Sequence, residues 1–214
     1  WARNEEKNIK AIASLGPNAK AFVCDVTDAD DSKKAFEATL AHFGRADICI
    51  ANAGGAGKSG PFTNYSEEDW KQVMDLNLNG VINTFQSIIP HLIKNKQGGK
   101  LIVTSSIAGL MGMPYASGYG TTKAAVLGLM RSLALELGRF QIQVNAILPG
   151  YIPTDMSLKT PQEFKDGVKR RSASGRDSTP DQIQGITIFL SSPASNLITG
   201  QSIVIDDGHT LYPM

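Results

Sequence analysis

Three residues in this sequence could act together on a reacting group: Ser106, Tyr119 and Lys123. Tyr119 and Lys123 lie four apart in SGYGTTKAAVLGLMRSLALEL, a stretch that reads as a long, largely apolar helix. That spacing puts both side chains on one face. A phenol has a reference pKa near 10, so acid or base work near neutrality needs assistance. An adjacent ammonium favours the phenolate, one pH unit in that equilibrium being worth about 1.4 kcal/mol. Such a phenol can serve as general acid for a carbonyl oxygen while a serine hydroxyl orients the same oxygen. Ser106 stands 13 residues before Tyr119, just past a strand exit. Taken singly, the three equally suit a tyrosine packed on a sheet, a solvated lysine and a serine that opens a loop.

The elements that must position them alternate between strand and helix. Asn4–Leu15 reads as a helix stopped by Gly16-Pro17, Ala19–Cys24 as an apolar strand, and Thr27–Phe43 as a helix with Asp28, Asp30 and Asp31 near its start. Asp47–Ala51 is the next strand. Ser66 and Asp69 form a capping-box pattern ahead of a helix running to about Ile93, with Pro90 near its end. Lys100–Ser105 and the stretch IQVNAIL read as buried strands. A polar, Pro- and Gly-punctuated segment covers Tyr151–Asp177, and a helix over Pro180–Leu190 and a strand at Ser202–Ile205 follow. The alternation predicts one domain over residues 1–214: an α/β, doubly wound, mostly parallel sheet with helices on both faces.

The stretch DICIANAGGAGKSGPF carries a G-x-G-x-x-G pattern at Gly55, Gly57 and Gly60. A dinucleotide loop would open a helix there and be followed by an acidic residue at a second strand end. Instead Pro61 follows Gly60, the helix cap comes at Ser66, and Asp69 and Asp75 fall inside a helix. The GKS fits a P-loop no better, because the required first glycine falls at Asn52. The run is read as a turn. Its informative part is Asn52-Ala53-Gly54, at a strand exit where open α/β sheets bind ligands.

Composition narrows the classes. The 214 residues are 42% hydrophobic and 19% charged, with formal net charge +1, so nothing points to nucleic acid or an anionic membrane. No apolar run approaches the roughly 20 residues that span a bilayer. The basic run Lys169-Arg170-Arg171 reads as a solvated helix end. Cys24 and Cys49 read as small buried hydrophobes, compatible with a reducing, cytoplasmic compartment. His42, His91 and His209 are scattered, leaving no metal-ligand set. The chain opens WARNEEKNIK without a methionine, so Trp1 is not read as the natural start.

Taken in order, CDVTD (Cys24–Asp28), NAG (Asn52–Gly54), DLNLNG (Asp75–Gly80), TSS followed by YGTTK, PGYIPTDM (Pro149–Met156) and LITGQSIVID resemble the short-chain dehydrogenase/reductase family in its single-domain form, from Arg3 to Gly208. The resemblance implies an oxidoreductase interconverting a ketone and a secondary alcohol. Tyr119 would be the acid/base and Ser106 the carbonyl-orienting residue. Lys123 would act on the tyrosine and on the nicotinamide ribose, and Asn77 would support a lysine-bound water. Asp25 and Val26 would touch adenine, and Asn52, Ala53 and Gly54 would line the adenosine side. Pro149, Gly150, Ile152 and Thr154 would flank nicotinamide and phosphate. The family's NAD-selecting acidic residue aligns with Ala2, whereas Arg3 beside it suits a 2′-phosphate. NADP(H) is therefore favoured, with NAD(H) as the alternative.

Substrate choice is expected in Gly55–Tyr65, Ile107–Gly118 and a lid at residues 151–177. Met111, Met113, Tyr115 and Met156 would form an adaptable apolar wall, or else core. The partners implied are a small-molecule carbonyl or alcohol substrate and a second copy, as homodimer or homotetramer, with the helices Ser66–Ile93 and Ser117–Leu137 at the interface.

The sequence departs from the family pattern in several places. The family's first strand, its Thr-Gly-rich turn, its first helix and most of its second strand would precede Trp1. That leaves three readings: upstream residues outside this sequence, a truncated gene, or a remnant that binds no cofactor. The third makes a catalytically silent scaffold the competing function. Asp207 replaces the first glycine of the family's DGG, and RRSASGRD lacks the proline often seen before GR.

Overall fold

The computed structural model describes residues 1–154, 157 and 160–211. Its sheet has four strands in the order β1-β2-β3-β4, all parallel: β1 Ile48–Ala51, β2 Gly99–Thr104, β3 Ile142–Pro149 and β4 Ser202–Ile205. Seven α-helices are described: α1 Glu5–Leu15, α2 Ala29–Phe43, α3 Glu67–Met74, α4 Gly80–Asn95, α5 Ser117–Leu137, α6 Gln162–Arg171 and α7 Gln184–Ser191.

Side chains alternate across the two central strands, and each set finds a different helical layer. Leu101 and Val103 of β2, with Val144, Ala146 and Leu148 of β3, pack against Val81, Phe85 and Ile88 of α4 and Val126, Leu127 and Met130 of α5. Ile102 and Ile147 point the other way, onto Leu190 of α7 and its neighbours Ile183 and Ile186. Burial on both faces explains the nearly continuous apolar strands. Each fully buried large side chain contributes about 2 kcal/mol. Asn145 is the buried polar residue of β3. Its amide donates to the Ile198 carbonyl (2.8 Å) and its Oδ1 accepts from the Gln201 N–H (3.0 Å), fixing the loop that enters β4.

Local chemistry sets the helix ends. Asn4 caps α1 by accepting from the Lys7 N–H, and Asp28 caps α2 by accepting from the Asp31 N–H, with Gly44 left-handed at its close. The capping box at Ser66 and Asp69 forms as the sequence predicts. Lys58 joins it, donating to the Asp69 carboxylate at 2.7 Å, and holds that carboxyl down to about 2.

Two sequence expectations change. The Ala19–Cys24 strand is reduced to a single parallel bridge between Ala2 and Val23, because an isolated extended segment has no ladder to join beyond that contact. The helix expected from Ser66 to Ile93 is three pieces: α3, a π-turn over Asp75–Asn79, and α4, which retains Pro90. On the far side of β1, Ile48 and Ile50 are each 43% exposed. They border a chamber of about 530 Å³ that reaches across to Trp1–Arg3.

Candidate active site

Because all four strands run in parallel, their C-terminal ends share one edge of the sheet. Asn52 follows β1, Ser105 and Ser106 follow β2, Gly150 follows β3 and Asp206 follows β4. The Ser105 N–H donates to the Ile147 carbonyl (2.8 Å), which draws the β2 exit alongside β3. Helix α5 lies against this edge. The Ser105 hydroxyl donates to the Lys123 carbonyl (2.7 Å), fixing the helix turn that carries Lys123 to the strand exit.

The Ser106, Tyr119 and Lys123 side chains converge there. Ser106 and Lys123 are buried. Burial pushes the Tyr119 phenol above its ordinary value, and the Ser106 hydroxyl beside it pulls it partly back. Burial also draws Lys123 down to about 8. The Lys123 ammonium lies 5.7 Å from the centroid of the Tyr119 ring and donates to the Thr104 carbonyl at 2.9 Å. The expected depression of the phenol by the lysine is thus not the direction found. Burial of the phenol sets that direction.

Asn77 is fully buried in the π-turn, which brings its amide to the glycine-rich loop. Its Oδ1 accepts from the Gly55 N–H (2.8 Å), while Nδ2 donates to the Gly55 carbonyl (2.9 Å) and to Thr122 Oγ1 (3.1 Å). Thr122 was no sequence candidate, although it lies inside YGTTK. Its hydroxyl, donating to the Tyr119 carbonyl (2.8 Å), links Asn77 to the helix turn of the tyrosine. Gly54 is where these groups meet: a Cβ there would come within 3.2 Å of Asn77 Oδ1 and 3.4 Å of Lys123 Nζ. A side chain there would press on the Asn77 amide and touch the lysine.

The glycines of the G-x-G-x-x-G run open no helix. Pro61 and a 3-10 turn at Phe62–Asn64 follow them. A side chain at Gly57 would strike Val73. The loop is tied down by Tyr65 Oη donating to the Lys58 carbonyl (2.5 Å) and by the Gly60 N–H donating to the Tyr115 carbonyl (2.8 Å). Met113 and Tyr115 are exposed, not core, and Tyr115 holds a left-handed backbone (φ 63°). Met111 is half-buried, and Met156 lies outside the described residues.

The remaining candidates divide between two places. Arg3, Asp25, Val26, Asn52, Ala53 and Gly54 line the chamber beside β1. Arg3 Nη1 stands 3.6 Å from Asp25 Oδ2, and Asp25 also accepts from the Thr27 N–H and hydroxyl. Pro149 and Gly150 end β3, where a Cβ on Gly150 would meet Asp206 Cβ at 2.8 Å. Ile152 and Thr154 continue into the 151–177 segment, with Thr154 bonded both ways to Ser157.

Comparison with known proteins agrees with this fold. A family model described as enoyl-(acyl carrier protein) reductase matches residues 1–210. The 3-oxoacyl-(acyl-carrier-protein) reductase FabG of Thermotoga maritima is 34% identical over 205 residues, covering 96% of this chain and 82% of that protein. Sorbose reductase of Candida albicans is 35% identical over 216 residues, covering 98% and 76%. The crystal structure of a gluconate 5-dehydrogenase from Burkholderia cenocepacia, in complex with NADP and tartrate, superposes with a TM-score of 0.91 at 32% identity, covering 98% of this chain and 83% of that one.

Proposed function

The chain belongs to the short-chain dehydrogenase/reductase family, and from that premise we propose that it interconverts a ketone and a secondary alcohol with NADP(H), Tyr119 being the general acid/base. The observation that carries this reading is the convergence of Tyr119, Ser106 and Lys123 at the C-terminal edge of a parallel sheet, beside Gly54, whose backbone lies close to Asn77 and Lys123. The names of the relatives, a 3-oxoacyl reductase, a sorbose reductase and a gluconate 5-dehydrogenase, support a ketone and alcohol as the reacting pair.

The residues fit a nicotinamide dinucleotide. Asp25 and Val26 would receive the adenine, and Asn52–Gly54 would pass beneath the adenosine. Arg3 would meet a 2′-phosphate with the donors that its contact to Asp25 leaves free. Lys123 would hold the nicotinamide ribose, and Pro149, Gly150, Ile152 and Thr154 would flank the carboxamide. When bound, the cofactor supplies the hydride.

The protein's own groups handle the proton. Burial holds the Tyr119 phenol in its protonated form, so it has a proton to give, and giving it calls on the Ser106 hydroxyl and the Lys123 ammonium for help. Ser106 Oγ donates to the carbonyl oxygen and orients it. Tyr119 Oη then passes its proton to that oxygen as negative charge develops, and the Lys123 ammonium stabilises the phenolate left behind. The segment 151–177 acts as a lid over the substrate. A chamber of about 700 Å³ lies between its helix α6 and the β3 exit, lined in part by Tyr151, Thr154, Lys165 and Arg176.

The test is cofactor oxidation by the full-length natural product, NADPH against NADH, across a panel of ketones. Turnover with NADPH preferred is the expected result. A protein that binds neither cofactor would be a scaffold, and this reading would fall.

A further inference from the structure

Asp207 follows β4 with a left-handed backbone (φ 53°), a conformation that glycine adopts freely and an aspartate only occasionally. Its contacts explain why the side chain is tolerated. The carboxylate Oδ2 accepts from the Ser174 N–H (3.1 Å) and the Ser174 hydroxyl (2.6 Å), 33 residues away in sequence. The Asp207 carbonyl accepts from the Ala173 N–H at 2.7 Å. Residues 173 and 174 are the chain leaving α6, so this one residue holds the C-terminal root of that helix from both its backbone and its side chain.

The neighbours extend the connection toward the β3 exit. Asp206 accepts from the Gly208 N–H (3.0 Å) and the Thr210 N–H (2.7 Å), which fixes the turn that presents Asp207. The Asp206 backbone lies against Gly150 so closely that a Cβ on that glycine would collide with it. Gly208 is also left-handed, and a side chain there would press on Ala173. Farther along, the Ser178 hydroxyl donates to the Tyr151 carbonyl (2.5 Å) and Lys169 donates to Asp177 (2.9 Å). The segment is therefore tied at both ends of α6's exit, once to β4 and once to the β3 exit.

We infer that Asp207 is a positioning residue: by clasping Ser174 it anchors the root of the α6 lid to the β4 exit and so sets substrate affinity without taking part in hydride or proton transfer. The lid and its kinetic consequence rest on the oxidoreductase reading; the clasp itself does not.

Asp207→Gly is the informative change, because it removes the carboxylate while giving the backbone the residue its φ prefers, so the fold is retained. In the full-length protein, amide exchange at Ser174 and through residues 162–177 should accelerate about tenfold. The KM for the ketone should rise by a similar factor while kcat stays within about twofold. Asp207→Asn keeps an acceptor oxygen and tolerates the left-handed backbone, and should recover much of both. Adding Ser174→Ala to Asp207→Gly should cost less than Ser174→Ala alone, since the contact to Asp207 is already gone and only the long bond from the Arg176 N–H (3.3 Å) is left to lose. Wild-type exchange across 162–177 in Asp207→Gly overturns the clasp. Faster exchange with an unchanged KM, or with a loss confined to kcat, overturns its link to substrate affinity. Should the wild-type protein show no turnover, the oxidoreductase reading fails on its own and exchange alone decides the clasp.

Discussion

Lys123 reaches past Tyr119 to the Thr104 carbonyl, its ammonium 2.9 Å from that oxygen and 5.7 Å from the centre of the tyrosine ring. The lysine is thus held by the strand exit and not by the phenol. Its position survives loss of the tyrosine hydroxyl. Tyr119→Phe should lower turnover about a thousandfold, within the range for a lost general acid, while leaving the unfolding midpoint and the cofactor dissociation constant close to wild type. Unchanged turnover would remove Tyr119 from the mechanism.

The buried ammonium makes stability depend on pH in a particular direction. Lys123 has a pKa of about 8 when folded, against an ordinary 10.5, so the folded state disfavours its charged form. The penalty is fully present below pH 8 and disappears as pH rises toward 10.5, where the unfolded chain also gives up its proton. Lys123→Met should therefore be more stable than wild type at pH 7, by an amount on the order of 3 kcal/mol at most, and the gap should close by pH 10.5. Urea denaturation of both proteins across that range measures it. The variant should be inactive throughout.

Asn77 satisfies both backbone groups of Gly55, and Asn77→Ala leaves these part-buried groups without those partners. A cost of about 2 kcal/mol in unfolding free energy is expected, with turnover falling further than stability because the same loop borders Lys123. A variant with normal activity and a lowered melting temperature would confine Asn77 to a structural role.

Arg3 lines the chamber beside β1, where the proposed reading would seat a ribose 2′-phosphate. Arg3→Ala should raise the KM for NADPH about tenfold, a loss of roughly one charge-assisted hydrogen bond, and leave NADH unaffected. Equal effects on both cofactors would show that Arg3 does not read the phosphate. Its contact with Asp25 is solvent-exposed, so little change in stability is expected.

The exposed side of β1 carries its own prediction. A polypeptide of just these 214 residues presents Ile48 and Ile50 on an unpaired sheet edge bordering an open chamber, an arrangement that recruits other strands. Size-exclusion chromatography should show concentration-dependent association. A monomer that unfolds cooperatively at every concentration would contradict it.

Much of this was legible in the sequence where local and tertiary preferences agree. Helix α5 spans Ser117–Leu137 and β4 spans Ser202–Ile205, as their patterns predict, and the Ser66 capping box needs only its own four residues. The Ala19–Cys24 segment has strand composition too, but a ladder depends on neighbours that composition cannot supply. DLNLN contains no glycine or proline to announce the π-turn, so a continuous helix was the natural reading. The rotation that aims Asn77 at Gly55 follows from packing. Candidate residues could be named by type and order, whereas the upward push of burial on the Tyr119 phenol depends on packing that the order of residues does not spell out. The left-handed backbone at Asp207 was foreshadowed by the glycine the family keeps there, but its bond to Ser174 was not.

The π-turn at Asp75–Asn79 has a last consequence. An α-helix turns about 100° per residue, and a widened turn lets the two halves of a long helix keep different phases. Here α3 is phased to set Val73 beneath Gly57 and Gly118, while α4 is phased to seat Val81, Phe85 and Ile88 on the sheet. Deleting one residue would regularise the coil and swing one of those faces a quarter-turn out of place. The length of this stretch is therefore as tightly specified as any side chain in it, and an insertion or deletion there has no slack to absorb it.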